Sequence, residues 1–224
     1  MKVFILAAGR GQRLKPITDK TPKPLVDVQG KPLLLHHLLA LKKAGYRDIV
    51  INVSWLGEQI IDFLATETPK DLRINISDER DTALETGGGM LKALSLLGDK
   101  PFLSVNADIF TDIDYRQFTR LHLNNDLLHI VLVPNPEHNT HGDFSLHNNR
   151  LLPINQTQNN FTYSGIGVYS PALFNPVRHR LNDPFRLKPL LQQAIEHKQA
   201  SGQIYRGQWT DVGTMKRLAE LNQR

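Results

Sequence analysis

The stretch Val3-Phe4-Ile5-Leu6-Ala7-Ala8-Gly9-Arg10-Gly11-Gln12-Arg13-Leu14-Lys15-Pro16 decides the architecture of this chain. Apolar, β-type residues run straight into two glycines, and cations follow at Arg13 and Lys15. Glycine lets a backbone turn tightly and approach a ligand closely. Successive N–H groups in such a turn form an anion-binding concavity. Arg13 and Lys15 add full positive charge where a triphosphate would lie. A few residues on, Thr21-Pro22-Lys23-Pro24-Leu25 sets a lysine between two prolines. Each proline fixes its own φ and restricts the residue before it, so Lys23 is presented from a stiff turn. Two commoner glycine loops are excluded. Leu14 stands where a dinucleotide fingerprint needs its third glycine, and no Gly-Lys-Ser/Thr follows as a P-loop requires.

Outward from this loop, strand-like runs alternate with helical patterns, which predicts an α/β fold with a central mixed, mainly parallel sheet flanked by helices. Strands are expected over 3–7, 48–53, 72–76, 101–105 and 128–133. Helices are expected over 32–44, 58–64, 90–97 and 114–124, with Gly45 ending the first and Gly87-Gly88-Gly89 opening the third. The second half reads differently. Residues 134–160 are rich in Asn, Gly, His and Pro, with short strands expected over 143–146 and 151–154. A longer strand over 161–169, a helix over 189–198, a strand over 203–206 and a closing helix over 214–222 follow. No internal repeat is visible.

Composition narrows the function. The chain has 224 residues, 40% hydrophobic and 22% charged, which suits one domain and leaves little room for two. No apolar run approaches the roughly 20 residues that span a bilayer. The N-terminus reads as a strand entering a loop rather than as a signal peptide. Cysteine is absent, which rules out disulfides and thiolate metal sites and fits a reducing cytosol, so a cytoplasmic location is expected. The net charge of +5 comes from scattered cations without a basic run. That pattern points to small polyanionic substrates, with neither nucleic acid nor membrane as partner.

Two acids carry the expected chemistry. Asp108 lies just past a buried strand, and ligands of open α/β sheets bind outside the carboxyl ends of strands. A carboxylate there suits Mg²⁺, which takes one or two carboxylates plus substrate phosphates. Asp211 lies in Trp209-Thr210-Asp211-Val212-Gly213-Thr214, directly before the last helix. A helix cap is the competing reading for each acid. Nine histidines are present, but no zinc-type spacing occurs, and no Gly-x-Ser-x-Gly elbow is found.

The pattern L-x-A-G-x-G-x-R-L-x-P-I-T followed by P-K-P resembles the signature of the sugar-1-phosphate nucleotidylyltransferases. The resemblance implies a Rossmann-like nucleotidyltransferase core over 1–133, a segment over 134–206 that shapes the acceptor pocket, and a metal-ligand segment with a closing helix over 207–224. It implies that Ala8, Gly9 and Gly11 hold the nucleotide, that Arg13 and Lys23 offset its charge, and that Asp108 and Asp211 hold Mg²⁺. Gly87 and Gly88 would lie against base and ribose. Glu79 would accept a ring N–H, which uracil, thymine and guanine offer, favouring UTP, TTP or GTP. Asn106, Asp143, Ser164 and Gly165 fall where relatives meet the acceptor sugar. The Glu-Lys-Pro segment of most relatives is replaced by Leu152-Pro153-Ile154-Asn155, so Arg206 or Lys188 is expected to supply the acceptor-phosphate cation. Within the family, Leu84-Glu85-Thr86-Gly87-Gly88-Gly89, Gly142-Asp143-Phe144 and the run from Tyr205 to Thr214 are similar to the short bacterial N-acetylmuramate α-1-phosphate uridylyltransferases of cell-wall recycling. The expected reaction joins UTP to N-acetylmuramate α-1-phosphate and releases pyrophosphate. A mannose-1-phosphate guanylyltransferase is the alternative within the class, and a non-catalytic nucleotide-sugar sensor the alternative outside it. Intact Arg13, Lys23, Asp108 and Asp211 weigh against the sensor.

Overall fold

The computed structural model describes residues 1–154 and 160–223. Strand β1 (Val3–Leu6) leads into three short 3-10 turns over Gln12–Leu14, Ile17–Asp19 and Lys23–Leu25. A small hairpin of β2 (Asp27–Val28) and β3 (Lys31–Pro32) follows. The chain then alternates through α1 (Leu33–Lys43), β4 (Asp48–Val53), α2 (Gly57–Glu67), β5 (Arg73–Asp78), α3 (Glu85–Leu97) and β6 (Phe102–Asn106). Next come β7 (Ile109–Thr111), β8 (Leu128–Val133), β9 (Phe144–His147), β10 (Arg150–Leu152) and β11 (Asn160–Tyr169). Helix α4 (Lys188–Glu196), β12 (Ala200–Ile204), β13 (Trp209–Asp211) and α5 (Met215–Asn222) complete it.

Nine strands form one sheet in the order β5-β4-β1-β6-β11-β8-β12-β10-β9. The strands from β5 to β6 are parallel, as expected from their helical crossovers. Beyond β6 the expectation of a mainly parallel sheet is corrected: β11 runs antiparallel to β6 and β8, and β9 and β10 pair antiparallel. Only β12 on β8 is parallel in that half, among the described residues. The physical cause lies in the connections. Asn148 and Asn149 both adopt positive φ between β9 and β10, the two-residue turn that joins antiparallel strands.

The residues of β1, β4, β6 and β8 are buried on both faces, so these strands read as near-continuous apolar runs, whereas edge strand β5 alternates. Val3, Ile5, Ile49, Ile51, Leu103 and Val105 point into one core, with Leu34, Leu38 and Leu41 of α1. Phe4, Val50, Ile130 and Leu132 point into the other, with Met90 of α3 and Leu190, Leu191 and Ala194 of α4. A third cluster ties the ends of the chain together: Leu14, Val26, Val28 and Leu33 pack with Val212, Leu218 and Leu221.

Several element boundaries differ from expectation. The helix expected over 114–124 is a 3-10 turn over Tyr115–Phe118, begun by an Asp114 side chain that accepts from Arg116 N. The triple glycine lies inside α3, not before it. The last sheet strand spans Ala200–Ile204 rather than 203–206, and Trp209–Asp211 forms an additional strand. The strand expected over 151–154 is Arg150–Leu152, and Asn155 of the replaced acceptor segment lies outside the described residues. No described helix is long and apolar enough to cross a membrane.

Candidate active site

The carboxyl ends of β1, β4 and β6 open onto a cavity of about 680 Å³. Its wall includes Ala8, Gly9, Arg10, Lys23, Asn52, Trp55, Glu79, Asn106 and Asp108. A smaller space of about 340 Å³ adjoins it, lined by Gly9, Gly11, Gln12, Arg13, Lys23, Asp108 and Gly213. Gly9, Lys23 and Asp108 therefore stand at the junction of the two.

The glycine loop is shaped from beneath. Gly11 has φ +65°, and a Cβ there would lie 3.0 Å from Thr18 Cγ2 and 3.2 Å from Lys23 Cβ. The Thr18 hydroxyl donates to Gly11 O at 2.8 Å. Among the described residues no acceptor meets the N–H groups of Ala8, Gly9, Arg10 or Gly11, which leaves them free for an anion. Lys23 opens a 3-10 turn whose cap position is Pro22, and its side chain is only 9% exposed. Its Nζ donates to Asp108 Oδ2 at 2.5 Å. The constraint read from the two prolines is thus completed by burial and an ion pair. Lys15, by contrast, turns to Asp19 on the surface and lines neither space.

Asp211 reaches the site through strand pairing. β13 pairs antiparallel with β7, with Asp211 opposite Ile109, and Val212 N donates to Asp108 O at 2.8 Å. The two acids, 103 residues apart in sequence by their numbers, are thereby brought onto adjacent strands one residue out of register. Arg13 and Asp211 are each next to a fully buried anchor, Leu14 and Val212, of the third apolar cluster. A Cβ on Gly213 would meet Asp211 Oδ2 at 2.9 Å and Arg13 Nη2 at 3.2 Å, so the missing side chain lets these groups converge. Neither acid is a helix cap; Thr214 caps α5 instead. Among the described residues no three acidic or histidine side chains form a metal cage. Asp108 lines both spaces; Asp211 lines neither, but its Oδ2 lies against Gly213 of the smaller one, and such a pair still matches Mg²⁺, which keeps waters and takes substrate phosphates.

The end of the larger cavity between β4 and the turn before α3 is built from buried polar groups. Asn52, the one polar residue in an apolar strand run, accepts from Ala7 N at 2.7 Å and donates to Glu79 Oε1 at 2.8 Å. Glu79 also accepts from Leu84 N at 3.4 Å. Burial raises the Glu79 pKa, and the hydrogen bond from Asn52 opposes the rise. At 2% exposure, with both oxygens engaged, Glu79 braces the turn before α3 where it lines the larger cavity. Gly89 makes this possible, since a Cβ there would lie 2.7 Å from Glu79 Oε1. The N–H groups of Gly87 and Gly88 both donate to Phe185 O, at 2.9 and 3.2 Å, and neither residue lines the cavity. Leu84, Glu85 and Thr86 line it instead.

The expected acceptor residues are only partly brought together. Asn106 lines the larger cavity, and Gly165, at φ +83°, lies against its side chain: a Cβ there would fall 2.8 Å from Asn106 Nδ2. Ser164 is buried, its carbonyl accepting from Trp209 Nε1 and its hydroxyl from Ile166 N. Asp143 accepts from Tyr163 N at 2.9 Å and from Asn139 Nδ2 at 3.2 Å, fastening the 139–143 turn to β11. Arg206 and Lys188 are exposed and line neither space. Sequence reasoning missed Arg217, whose Nη1 donates to Asp211 Oδ1 with the side chain 14% exposed. It also missed the Arg10 guanidinium stacked 4.4 Å over Trp55 at the cavity wall. Asn52 had a legible signal, a lone polar residue in a buried run. Arg217 had none, because only the folded turn around Thr214 brings it back onto Asp211, six residues earlier.

The chain is similar to known proteins along nearly its whole length. Residues 2–224 match a family described as nucleotidyl transferase. An N-acetylmuramate α-1-phosphate uridylyltransferase from Neisseria meningitidis is 46% identical, over 98% of this chain and 96% of its own. Mannose-1-phosphate guanyltransferase beta-A from Xenopus laevis is 28% identical over 96% of this chain, which spans 62% of that relative's length. A Bacillus anthracis structure described as a glucose-1-phosphate thymidylyltransferase superposes with a TM-score of 0.85 at 20% identity, over 100% of this chain and 94% of its own.

Proposed function

The chain belongs to the nucleotidyl transferase family, and from that premise we propose that it joins UTP to N-acetylmuramate α-1-phosphate, giving UDP-N-acetylmuramate and pyrophosphate. The reading is carried by the 46% identity along 98% of the chain to the meningococcal uridylyltransferase. It is supported by the meeting of the glycine loop, Lys23 and Asp108 at one junction, with Asp211 held next to it behind Gly213 by the pairing of β13 with β7. The nucleoside lies in the larger cavity, its base toward Leu84–Thr86 and its phosphates toward the free N–H groups of Ala8 to Gly11. The β- and γ-phosphates enter the smaller space, where Arg13 adds charge.

The acceptor phosphate oxygen attacks the α-phosphorus in line. One P–O bond forms, the bond to the β-phosphate oxygen breaks, and pyrophosphate leaves with the electron pair. No base is needed, because a phosphate monoester is already ionised at neutral pH. Both reactants are anions, so the work of the site is alignment and charge compensation. Asp108 and Asp211 would hold Mg²⁺, which when bound supplies positive charge against phosphate oxygens. Lys23 holds its ammonium at the junction of the two spaces, where the scissile bond lies. Asn106, backed by Gly165, faces the acceptor side. Both substrates are charged metabolites, so the reaction belongs to the cytoplasm, as a step of cell-wall recycling.

The test is a panel of UTP, GTP and TTP against N-acetylmuramate, N-acetylglucosamine, glucose and mannose 1-phosphates, read by pyrophosphate release. The highest kcat/KM is expected for UTP with N-acetylmuramate 1-phosphate. A best pair of GTP and mannose 1-phosphate would overturn the substrate while keeping the reaction class, and no release with any pair would overturn both.

A further inference from the structure

The two acids of the site each have a cationic partner, Lys23 on Asp108 and Arg217 on Asp211, and the His138 ring lies 3.2 Å from the same Asp211 oxygen. The second pair is the less expected. The Arg217 guanidinium is 14% exposed and is steered from several sides. Nε donates to Thr214 Oγ1 at 3.2 Å, and the His138 ring lies 2.9 Å from Nη1. Nη2 lies against Gly213, 2.5 Å from where a Cβ would stand, and Arg13 Nη2 approaches that same position. Asp211 is the only anionic partner of Arg217 among the described residues.

A divalent cation on Asp211 would remove that partner. Arg217 would then face His138, Thr214 and a second guanidinium, none of them anionic. A largely buried cation without an anion is strongly disfavoured. Arg217 cannot escape by losing its proton, since guanidinium stays charged. An incoming anion can take the place of Asp211, and a planar guanidinium holds phosphate oxygens two at a time. The position of Arg217 selects which anion. Arg217 lines neither space: its Nη2 lies against Gly213 at the edge of the smaller one that Arg13 serves, while its Nη1 reaches away to His138, next to the 139–143 turn that Asp143 fastens to β11 and that we take as the acceptor side.

We propose that Arg217 is an exchange cation: it neutralises Asp211 while the metal is away, and it holds the acceptor's phosphate monoester once the metal has taken Asp211. Metal and sugar phosphate then bind cooperatively through this one side chain, which replaces Arg206 and Lys188 as the acceptor-phosphate cation. The proposal rests on Asp108 and Asp211 being the metal ligands.

The experiment is Mn²⁺ binding to the full chain, followed by electron paramagnetic resonance, alone and with N-acetylglucosamine 1-phosphate or pyrophosphate. Wild type, Arg217→Gln, Arg217→Lys and Asp211→Asn are compared, with circular dichroism to confirm folding. Arg217→Gln removes the competitor, so it should bind Mn²⁺ alone about tenfold tighter, the size of one charge-assisted bond. The factor by which the sugar phosphate tightens Mn²⁺ should fall about tenfold, and the factor for pyrophosphate should hardly change. Arg217→Lys keeps the competing charge but loses the bidentate grip. It should bind Mn²⁺ alone like wild type and still lose most of the sugar-phosphate factor, so it carries the test if Arg217→Gln does not fold. A sugar-phosphate factor unchanged in either folded variant overturns the inference, as does a loss confined to pyrophosphate. Asp211→Asn separates the levels. If it loses Mn²⁺ while the Arg217 variants behave as wild type, this inference alone falls; if it binds Mn²⁺ normally, the metal reading falls as well.

Discussion

Gly9 and Gly11 stand two residues apart in one loop and are glycines for different reasons. A Cβ on Gly9 would meet nothing within 4 Å, and the residue lines both spaces of the site. The room around it belongs to the ligand. Gly9→Ala should leave the melting temperature unchanged and raise KM for the nucleotide, which thermal melts and initial rates will show. Gly11 has positive φ and touches Thr18 and Lys23. Gly11→Ala should cost roughly 1–2 kcal/mol for the left-handed backbone alone and should also lower kcat by displacing Lys23. Equal behaviour of the two variants would contradict the assignment. A second residue gives a pH signature. His37 is 3% exposed, and burial lowers its pKa to about 4 from 6.5. The unfolded chain therefore binds a proton that the folded chain refuses between those values. Stability from this group is fully present above pH 6.5 and is lost as the pH falls toward 4, by roughly 3 kcal/mol. Urea unfolding of wild type and His37→Gln should diverge over that window; parallel curves would mean that His37 charges freely in the fold.

At the scale of elements, the glycine run in α3 shows how a correct motif can carry a different physical reason. The run was legible as a place of close approach. What approaches is the chain itself: Phe185 O receives two N–H groups, and Asp183 O lies 2.5 Å from where a Gly88 Cβ would stand. No local pattern reveals that residues 183–185 return to this helix. Alanine normally favours a helix over glycine by roughly 1 kcal/mol. Here Gly88→Ala should instead destabilise by about 1–3 kcal/mol through overpacking and should raise KM for the nucleotide by shifting Leu84–Thr86. A more stable variant in chemical denaturation would contradict that packing. The helices α1 and α5 were legible because apolar spacing and caps are local, Leu34, Leu38 and Leu41 in one and Thr214 in the other. The segment after Asp114 was not. Its cap is real, but after one turn Phe118 is buried in the core and the chain does not continue as a helix.

At the scale of the whole molecule, the parallel half of the sheet could be read from its alternation, and the antiparallel half could not. β11 pairs with β6, β8 and β9, and such long-range choices leave no periodic trace beyond the apolar run itself. The same limit explains the site. Gly9, Gly11, Lys23, Asp108 and Asp211 were legible as residue types in motifs; Asn52 was legible only as a lone polar residue in a buried run, and Trp55 and Arg217 only once folded contacts are seen. The global topology in turn makes a shared metal site conceivable, because the third apolar cluster and the β7–β13 pair bring the last segment of the chain onto the first loop. The central claim is that Asp108 and Asp211 act as one site. Turnover at saturating Mg²⁺ in Asp108→Asn, Asp211→Asn and the double variant tests it directly. Groups that serve a single site lose their effect together rather than additively. Each single change should lower kcat by orders of magnitude with the fold intact, and the double variant should be no worse than the poorer single. Near-normal turnover in either single variant, or losses that multiply in the double, would contradict the account.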